Sequence, residues 1–596
     1  MAKAQSPRSI TPDDVRFLAA DAGERNAACP ACGRRGGARP VLRVPTLSPP
    51  DRELELIRCG HCASLFYQPG GIRDFSDLGG QDAGFWRFYV EAAGGIWETL
   101  WPVAAARARG RMLDVGCGFG FAVDFWSRSG RGEAVGVELA AYGAAGARAL
   151  GVTIHDQRLE ACEALAGQRF DVVYACEVVE HIDEPRAFVA MLAQRVADDG
   201  VLVLTTPAAE FVRPEHRSPG MLAALAPGFH GFLLSGPALE SLARDAGFEH
   251  VKLRRFAERQ VLWASRKPFE PALDEAALRA DYFAYMRARV AELEPASPVG
   301  MGYTYRLLRD EVNTGHLADA LPRATGLAGA IRLRFGERAL EPDSVLAAYR
   351  EATTLEDAGR IGPYFLPGFY HHAATLAQHV ERDYPRARAW YRAAAELSIE
   401  CGRIGAVLFL EAPTLVWPAR IADAVLGLAL GDESAAEGLL ALMETGLEPS
   451  AASGYGCVSR ERIEALLPPV IEELASRGQR ASALRLAEGY RAYVAQNYEA
   501  ALLTVGGVES ALREERSVPL DPWFAPYTSH AFTATGAGPE ASRAALADFA
   551  VRAEGAGSTA TARGRELAAK ARQLAGVVPP RRDFSFEMSF DLTPKR

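Results

Sequence analysis

The stretch that decides the fold is Leu113-Asp114-Val115-Gly116-Cys117-Gly118-Phe119-Gly120. It ends a short apolar run that begins at Met112, and a helix-compatible segment follows it. Glycines allow backbone angles that other residues avoid, and they let the main chain come close to a ligand. A glycine-rich turn between a strand and a helix therefore predicts a cofactor-binding α/β domain, but alone it does not distinguish a dinucleotide from another cofactor.

The pattern of a buried strand followed by a helix continues on the C-terminal side of this turn. Further apolar runs begin at Ala134, Val152, Asp171 and Val201, with helix-compatible segments between several of them. Such alternation predicts a parallel sheet with crossover helices on both faces. Two extended runs, Glu249–Phe256 and Gln260–Ser265, come last, before the Lys267-Pro268 breaker.

Three motifs in the same order carry a family resemblance. The turn has the order D-x-G-x-G-x-G, the second strand ends in Gly136-Val137-Glu138, and the fourth strand with its loop reads Phe170-Asp-Val-Val-Tyr-Ala-Cys-Glu-Val-Val-Glu-His-Ile. Together they resemble the class I S-adenosylmethionine (SAM)-dependent methyltransferases, in particular the ubiquinone-biosynthesis type. The resemblance implies a seven-stranded, Rossmann-like α/β methyltransferase core over residues 76–268.

The resemblance also implies which residues bind SAM. Asp114 and the turn are expected to hold the methionine part, and Glu138 is expected to accept both ribose hydroxyl protons. Asp156, just past the third strand, is expected to bind the adenine amine, although capping the following helical stretch is an equal alternative. The turn residues expected at the cofactor are Gly116, Cys117, Gly118 and Gly120.

The loop after the fourth strand holds the candidate catalytic residues. Glu177, Glu180 and His181 are spaced i, i+3 and i+4, so on a helical turn they would share one face. Three interpretations stay open: His181 is a general base, the three side chains hold a divalent ion such as Mg²⁺ that activates the acceptor, or they only shape the loop. The E-x-x-E-H arrangement resembles the metal site of small-RNA 2′-O-methyltransferases and ubiquinone-type enzymes, which implies His230 as a further ligand.

Four of the nine cysteines form two C-x-x-C pairs on the N-terminal side of the core. Cys29/Cys32 and Cys59/Cys62 are separated by 26 residues, the arrangement of a structural zinc ribbon with four thiolate ligands. We therefore expect a Zn²⁺ ion with no open coordination position and no catalytic role.

The remaining chain is expected to be helical on the C-terminal side of the core. Ala, Leu, Arg and Glu at 3.6-residue spacing predict an all-helical region, in which Asp383–Leu397 resembles the second helix of a tetratricopeptide unit. A solenoid-like domain and a plain helical bundle are both open. The expected organisation is a flexible N-terminus over 1–22, a zinc ribbon over 23–75, the core over 76–268, a helical connector over 269–345, a solenoid-like domain over 346–576 and a tail over 577–596.

Composition restricts the function further. The chain of 596 residues is 49% hydrophobic with a net charge of −9, which argues against nucleic acid as the main partner. No apolar stretch has signal-peptide or membrane-span length, so a cytoplasmic protein is expected. The first hypothesis is methyl transfer to a hydroxyl of a saccharide or other small metabolite. The alternatives are an RNA methyltransferase, or one that acts on or through a protein partner bound by the C-terminal helices.

Overall fold

The computed structural model describes residues 10–19, 22–47, 52–70, 83–93, 97–107, 109–216, 218–256, 258–405 and part of 409–438. Within these residues the strands are β1 Arg16–Phe17, β2 Arg39–Pro45, β3 Glu53–Arg58, β4 Leu65–Gln68, β5 Met112–Val115, β6 Ala134–Val137, β7 Thr153–His155, β8 Phe170–Cys176, β9 Val196–Pro207, β10 Phe232–Leu233, β11 His250–Phe256 and β12 Arg259–Ser265.

Seven strands form the central sheet in the order β11-β12-β9-β8-β5-β6-β7. The five strands from β7 to β9 in this order are parallel, and the β11–β12 hairpin is added antiparallel to β9. The predicted α/β class with a seven-stranded Rossmann-like core is thereby confirmed. The order reverses between β5 and β8, and open α/β sheets bind ligands at the carboxyl ends of strands beside such a reversal.

A second sheet of five strands lies on the N-terminal side, in the order β1-β2-β3-β4-β10. Its last strand, β10, comes from the segment after β9, so the N-terminal module and the core share a sheet. The expectation of a flexible segment over 1–22 is wrong for residues 10–17. Ile10 and Val15 are fully buried, and β1 pairs with β2, because these two apolar side chains complete the core of the small sheet.

The helices follow the alternation in the core and then dominate the described residues of the C-terminal region. Their bounds are α1 Ala83–Phe88, α2 Trp97–Ala106, α3 Phe121–Arg128, α4 Ala141–Leu150, α5 Pro185–Arg195, α6 Pro219–Leu225, α7 Gly236–Asp245, α8 Glu275–Glu292, α9 Pro298–Asn313, α10 Leu317–Phe335, α11 Pro342–Glu351, α12 Leu355–Ile361, α13 Leu366–Leu376, α14 Tyr384–Gly405 and α15 Ala412–Ala429. None of the helices described here has the length and apolar character needed to cross a membrane.

Helices α8 and α9 differ from the connector expected over 269–345. Asp124 on α3 is fully buried and accepts hydrogen bonds from the Tyr285 and Tyr303 hydroxyls at 2.7 and 3.2 Å, and it pairs with Arg289 at 2.9 Å. The apolar faces of both helices join the same hydrophobic core as α2 and α3. The Lys267-Pro268 breaker therefore ends the sheet, but the core continues into α8 and α9.

The chain divides into two compact units. Within the described residues, the smaller consists of Glu311–Leu321, Tyr370–Glu396 and the described part of 414–438, and the larger holds both sheets. Within the smaller unit, Ala387, Tyr391 and Ala394 are buried, as the tetratricopeptide-like pattern predicts for packing positions. The rest of the predicted solenoid-like domain beyond residue 438, and the predicted tail over 577–596, lie outside the described residues.

Candidate functional site

The glycine-rich turn follows β5 and leads into α3. Gly116, Gly118 and Gly120 have φ angles of 70°, 57° and 90°, a region that favours glycine. A Cβ atom on Gly116 would lie 2.7 Å from Cγ2 of Val178, so the turn also packs against the loop after β8. The turn thus presents main chain at the carboxyl edge of the sheet, next to the loop that carries the candidate catalytic residues.

Asp114 is the buried acid at the start of this turn. Its Oδ1 atom is buried without a hydrogen-bond partner among the described residues. Burial, together with the nearby Glu138 carboxylate, raises the pKa of Asp114 to about 8. A buried carboxyl group with one unpartnered oxygen suits a positively charged ligand, because a cation favours its ionised form.

Glu138 follows β6 and lies beside the same turn. Its Oε2 accepts a hydrogen bond from the Gly118 N–H at 2.9 Å, and its Oε1 accepts one from the Ala140 N–H at 2.8 Å. These bonds fix the carboxylate, and each oxygen retains a second lone pair for a hydroxyl donor. The geometry fits a group that carries a vicinal diol, as the ribose of SAM does.

The other expected cofactor residues differ in exposure. Asp156 is exposed just past β7, and it caps no helix, because the next turn starts after Arg158 with no side-chain cap. Cys117 is buried, and burial raises the pKa of its thiol well above the ordinary value, so it stays protonated and is a poor nucleophile.

Two tyrosines at this site were not found by sequence reasoning. Tyr89 and Tyr142 stack with ring centroids 5.4 Å apart, and the Tyr89 hydroxyl would lie 2.8 Å from a Cβ on Gly118. Tyr89 comes from a π-helical segment, Tyr89–Ala93, that precedes β5. Neither tyrosine belongs to a sequence motif, because each contributes an aromatic ring and not a set of functional groups at a fixed spacing.

The second half of the site is formed by Glu180, His181 and His230. One potential ligand atom from each lies within 4.8 Å of the others, and the two imidazole rings are 4.6 Å apart. Glu180 is fully buried; its Oε2 accepts from the Thr206 hydroxyl at 3.0 Å, while its Oε1 is buried without a hydrogen-bond partner among the described residues. The structure thus brings His230 to residues about 50 positions earlier in the chain.

Both histidines make the same kind of backbone contact. His181 Nδ1 is 2.9 Å from the Phe229 carbonyl oxygen, and His230 Nδ1 is 2.8 Å from that of Ala224. If each Nδ1–H donates to its carbonyl, Nε2 carries the lone pair that a metal ion uses. Burial lowers the pKa of His181 to about 4 and that of His230 to about 3, so both rings are neutral at pH 7.

Glu177 lies outside this group, which corrects the expectation that it shares a face with Glu180 and His181. It adopts a left-handed φ of 55° immediately after β8, and the helical turn begins only at Val179. Its Oε1 accepts from the Thr205 hydroxyl at 2.9 Å and pairs with Arg259 Nε at 3.3 Å. Arg259, at the start of β12, was missed because nothing in its local sequence distinguishes it.

The four cysteines of the N-terminal module converge. The sulfur–sulfur distances are 3.6 Å for Cys29–Cys62 and 3.7 Å for Cys32–Cys59, and all four sulfurs lie within 4.8 Å of one another. Zn–S bonds of about 2.3 Å in a tetrahedron require sulfur separations of about 3.8 Å. The contact with the Cys29 sulfur lowers the pKa of the Cys62 thiol below its ordinary value. The four sulfurs therefore fit a tetrahedral Zn²⁺ ion, whereas His61 is exposed and its Nε2 lies 3.3 Å from the Arg35 carbonyl oxygen.

Comparison with known proteins identifies a methyltransferase domain in the chain. A family model described as a methyltransferase domain matches residues 85–253. A ubiquinone biosynthesis O-methyltransferase of Cereibacter sphaeroides is 30% identical over 165 residues, which are 26% of this chain and 66% of that protein. Another of the same name, from Bradyrhizobium sp., is 36% identical over 100 residues, which are 16% of this chain and 39% of that protein.

A solved structure, an O-methyltransferase family protein from Burkholderia thailandensis, is 20% identical with a TM-score of 0.24, over 29% of this chain and 55% of that one. The chain spans between 39% and 66% of the length of the curated relatives named here, which is less than two thirds.

Proposed function

We propose that this chain, whose residues 85–253 are a class I SAM-dependent methyltransferase domain, transfers a methyl group from SAM to a hydroxyl oxygen of a small acceptor. A saccharide is the first candidate for the acceptor. The names of the relatives, which are O-methyltransferases, support an oxygen acceptor. The observation that carries the proposal is the convergence of Glu180, His181 and His230 at the end of the loop that packs on the cofactor turn.

On the cofactor side, the proposed roles follow from the hydrogen-bond acceptors that remain available on two carboxylates. Asp114 would bind the positively charged methionine part, because its buried Oδ1 has no partner among the described residues. Glu138 would accept the ribose hydroxyls, since two backbone N–H groups already hold it in place. Holding SAM in a defined orientation matters because methyl transfer is an in-line displacement, for which alignment supplies a large part of the rate acceleration.

On the acceptor side, we favour a divalent ion held by Glu180, His181 and His230 over the other two interpretations of the loop. The donor set is two imidazoles whose Nδ1 atoms contact backbone carbonyls, plus a buried carboxylate with one unpartnered oxygen. An ion bound there would lower the pKa of the acceptor hydroxyl. Two imidazole ligands favour Zn²⁺ or Fe²⁺ over Mg²⁺, which prefers oxygen ligands, and the Glu180 carboxylate also suits Mn²⁺.

The second metal proposal concerns the N-terminal module. Cys29, Cys32, Cys59 and Cys62 would hold one structural Zn²⁺ ion per chain, supported by their sulfur separations. Four thiolates close the coordination sphere, so this ion has no position for a substrate. For the C-terminal helices over 346–576, binding of a protein partner remains our proposal from the sequence.

A metal-reconstitution experiment tests the proposed function. The chain is incubated with methyl-labelled SAM and separate glycan, small-molecule, RNA and protein fractions, and the labelled fraction identifies the acceptor class. The protein is then treated with a chelator that leaves one zinc per chain by elemental analysis. We expect label in a hydroxyl-bearing small molecule or glycan, loss of transfer after chelation, and recovery with Mn²⁺ or Zn²⁺. Label in RNA or protein would refute the acceptor class, and full transfer in the chelated enzyme would refute the divalent ion.

A further inference from the structure

The loop that carries His230 is tightly folded and contains a non-glycine residue in a rare conformation. Ala226 has a φ of 29°, and its carbonyl oxygen accepts hydrogen bonds from the N–H groups of Phe229 and His230 at 2.9 and 3.0 Å. A conformation of this kind persists only where the surrounding structure holds it. The contacts around residues 225–231 therefore determine where the His230 imidazole lies.

Tyr67, on β4 of the N-terminal sheet, binds both ends of this loop. Its hydroxyl donates to the Leu225 carbonyl oxygen at 2.8 Å, and its backbone N–H donates to the Gly231 carbonyl oxygen at 3.1 Å. The Tyr67 side chain is buried, and the Leu47 N–H donates to the Pro227 carbonyl oxygen at 3.0 Å between these two contacts. The N-terminal sheet therefore holds the loop before, within and after its turn.

The same strand connects the loop to the four cysteines. β4 begins three residues after Cys62, and Phe66 and Leu65 pair with Phe232 and Leu233 of β10. In addition, the Cys62 carbonyl oxygen accepts a hydrogen bond from the Ser235 hydroxyl. The residues that would surround the zinc ion are thus continuous with those that hold the histidine loop.

We propose that Tyr67 is a positioning residue for His230. Through Tyr67, the four-cysteine module supports the acceptor side of the site. The inference rests on the proposed role of His230 in the group with Glu180 and His181. Without the Tyr67 hydroxyl, the buried Leu225 carbonyl loses its donor, and the loop relaxes toward a less strained backbone. His230 then moves relative to Glu180 and His181, and the Phe229 carbonyl oxygen of the same loop, which lies 2.9 Å from His181 Nδ1, moves with it.

The test compares Tyr67→Phe with Tyr364→Phe in the full chain with its zinc retained. Tyr364 is a matched control, because its buried side chain also donates a hydroxyl to a backbone carbonyl, that of Leu355 at 3.0 Å. Two readouts are used: amide hydrogen exchange over residues 222–235 and over 112–126, and the affinity for Co²⁺ of the site formed by Glu180, His181 and His230. Co²⁺ at this site is distinguished by its visible spectrum from Co²⁺ bound to thiolates.

We expect Tyr67→Phe to speed exchange over residues 222–235 and to weaken Co²⁺ binding at least about tenfold, since misplacing one ligand has effects of this order. Exchange over 112–126 and both readouts in Tyr364→Phe should match the unmodified protein. Unchanged exchange and Co²⁺ affinity in Tyr67→Phe would overturn the inference, and so would an equal, chain-wide rise in exchange in both variants. A His230→Ala protein that keeps its Co²⁺ affinity would instead refute the proposed metal site, and local exchange in Tyr67→Phe would still decide whether Tyr67 holds the loop.

Discussion

The two halves of the site are built in different ways. On the cofactor side, Asp114, the glycine turn and Glu138 come from one continuous stretch that spans β5, α3 and β6. On the acceptor side, Glu180 and His181 follow β8, His230 comes from the segment between α6 and β10, and the support for that segment comes from β4. The first half is local in sequence, whereas the second depends on contacts between distant segments.

This difference has a consequence for how each half responds to change. A local strand–turn–helix unit keeps its geometry as long as the central sheet is folded, because its hydrogen bonds are internal to that unit. The acceptor side also requires the small N-terminal sheet. We therefore expect SAM binding to tolerate damage to the N-terminal module that the acceptor side does not tolerate.

The largest effect on folding is expected for loss of a cysteine from the N-terminal module, which supports the acceptor side. Cys59→Ser should remove the zinc and unfold the N-terminal sheet, because metal binding in such modules contributes on the order of 10 kcal/mol to folding. Elemental analysis and hydrogen exchange over residues 39–68 measure both effects. Cys162→Ser is the matched control: this buried cysteine lies outside the four-sulfur group, so zinc should be retained. Zinc retained in Cys59→Ser would mean that the cysteines are not its ligands.

On the cofactor side, Glu138→Ala should weaken SAM binding by about a hundredfold or more. The change removes two hydrogen bonds to a charged acceptor, each worth about 1.5–3 kcal/mol. Calorimetric titration with SAM measures the loss, and circular dichroism checks the fold. Asp156→Ala should cost less than about tenfold, because that carboxylate is exposed. Equal losses in the two variants would place the ribose elsewhere.

A smaller, pH-dependent effect is expected for Asp114→Asn in the absence of SAM. With a pKa of about 8 in the folded protein and about 3.9 when unfolded, Asp114 makes the folded state bind an extra proton between these values. Stability of the unliganded protein therefore falls as pH rises from about 4 to 8. Asn has no such proton, so the variant should melt several degrees higher than the parent at pH 9 and by a smaller margin at pH 5.

Thermal melts at the two pH values, together with SAM titration, test this prediction. The same variant should lose most of its SAM affinity, since the amide cannot pair with a cation. An identical dependence of melting temperature on pH in parent and variant would show that Asp114 is ionised in the unliganded protein. Higher stability of Asp114→Asn together with weaker SAM binding would show that the Asp114 carboxylate serves ligand binding at a cost in stability.

The contrast between the two halves also explains how much could be predicted from the sequence. The α/β class and the parallel strands around the glycine turn follow from the alternation of strands and helices, and the convergence of four cysteines follows from their spacing. The departure of Glu177 from the Glu180–His181 face could not be predicted, because it depends on one left-handed backbone angle and on Arg259 from β12. Tyr67 was missed because its contact joins segments far apart in the chain, and Tyr89 was missed because no sequence motif connects its segment with the glycine turn.

The boundaries of the core also could not be predicted from local sequence patterns. Ile10 and Val15 lie in a short segment without regular apolar periodicity, yet both are fully buried in the core of the N-terminal sheet. Asp124, on α3, is buried against Arg289 and Tyr285 of α8, although a proline breaker separates the two segments in sequence. In each case the deciding contact is tertiary, and no periodicity within either segment indicates it.

The separation of the site into a cofactor side and an acceptor side is tested most directly by measuring SAM binding and methyl transfer together in His230→Ala. His230 lies on the acceptor side and makes no contact with the cofactor turn among its described hydrogen bonds. We predict a SAM dissociation constant within about twofold of the parent value and methyl transfer reduced at least about a hundredfold, as expected for loss of a group that activates the acceptor. Transfer at the parent rate in a folded, SAM-binding His230→Ala protein would contradict this prediction.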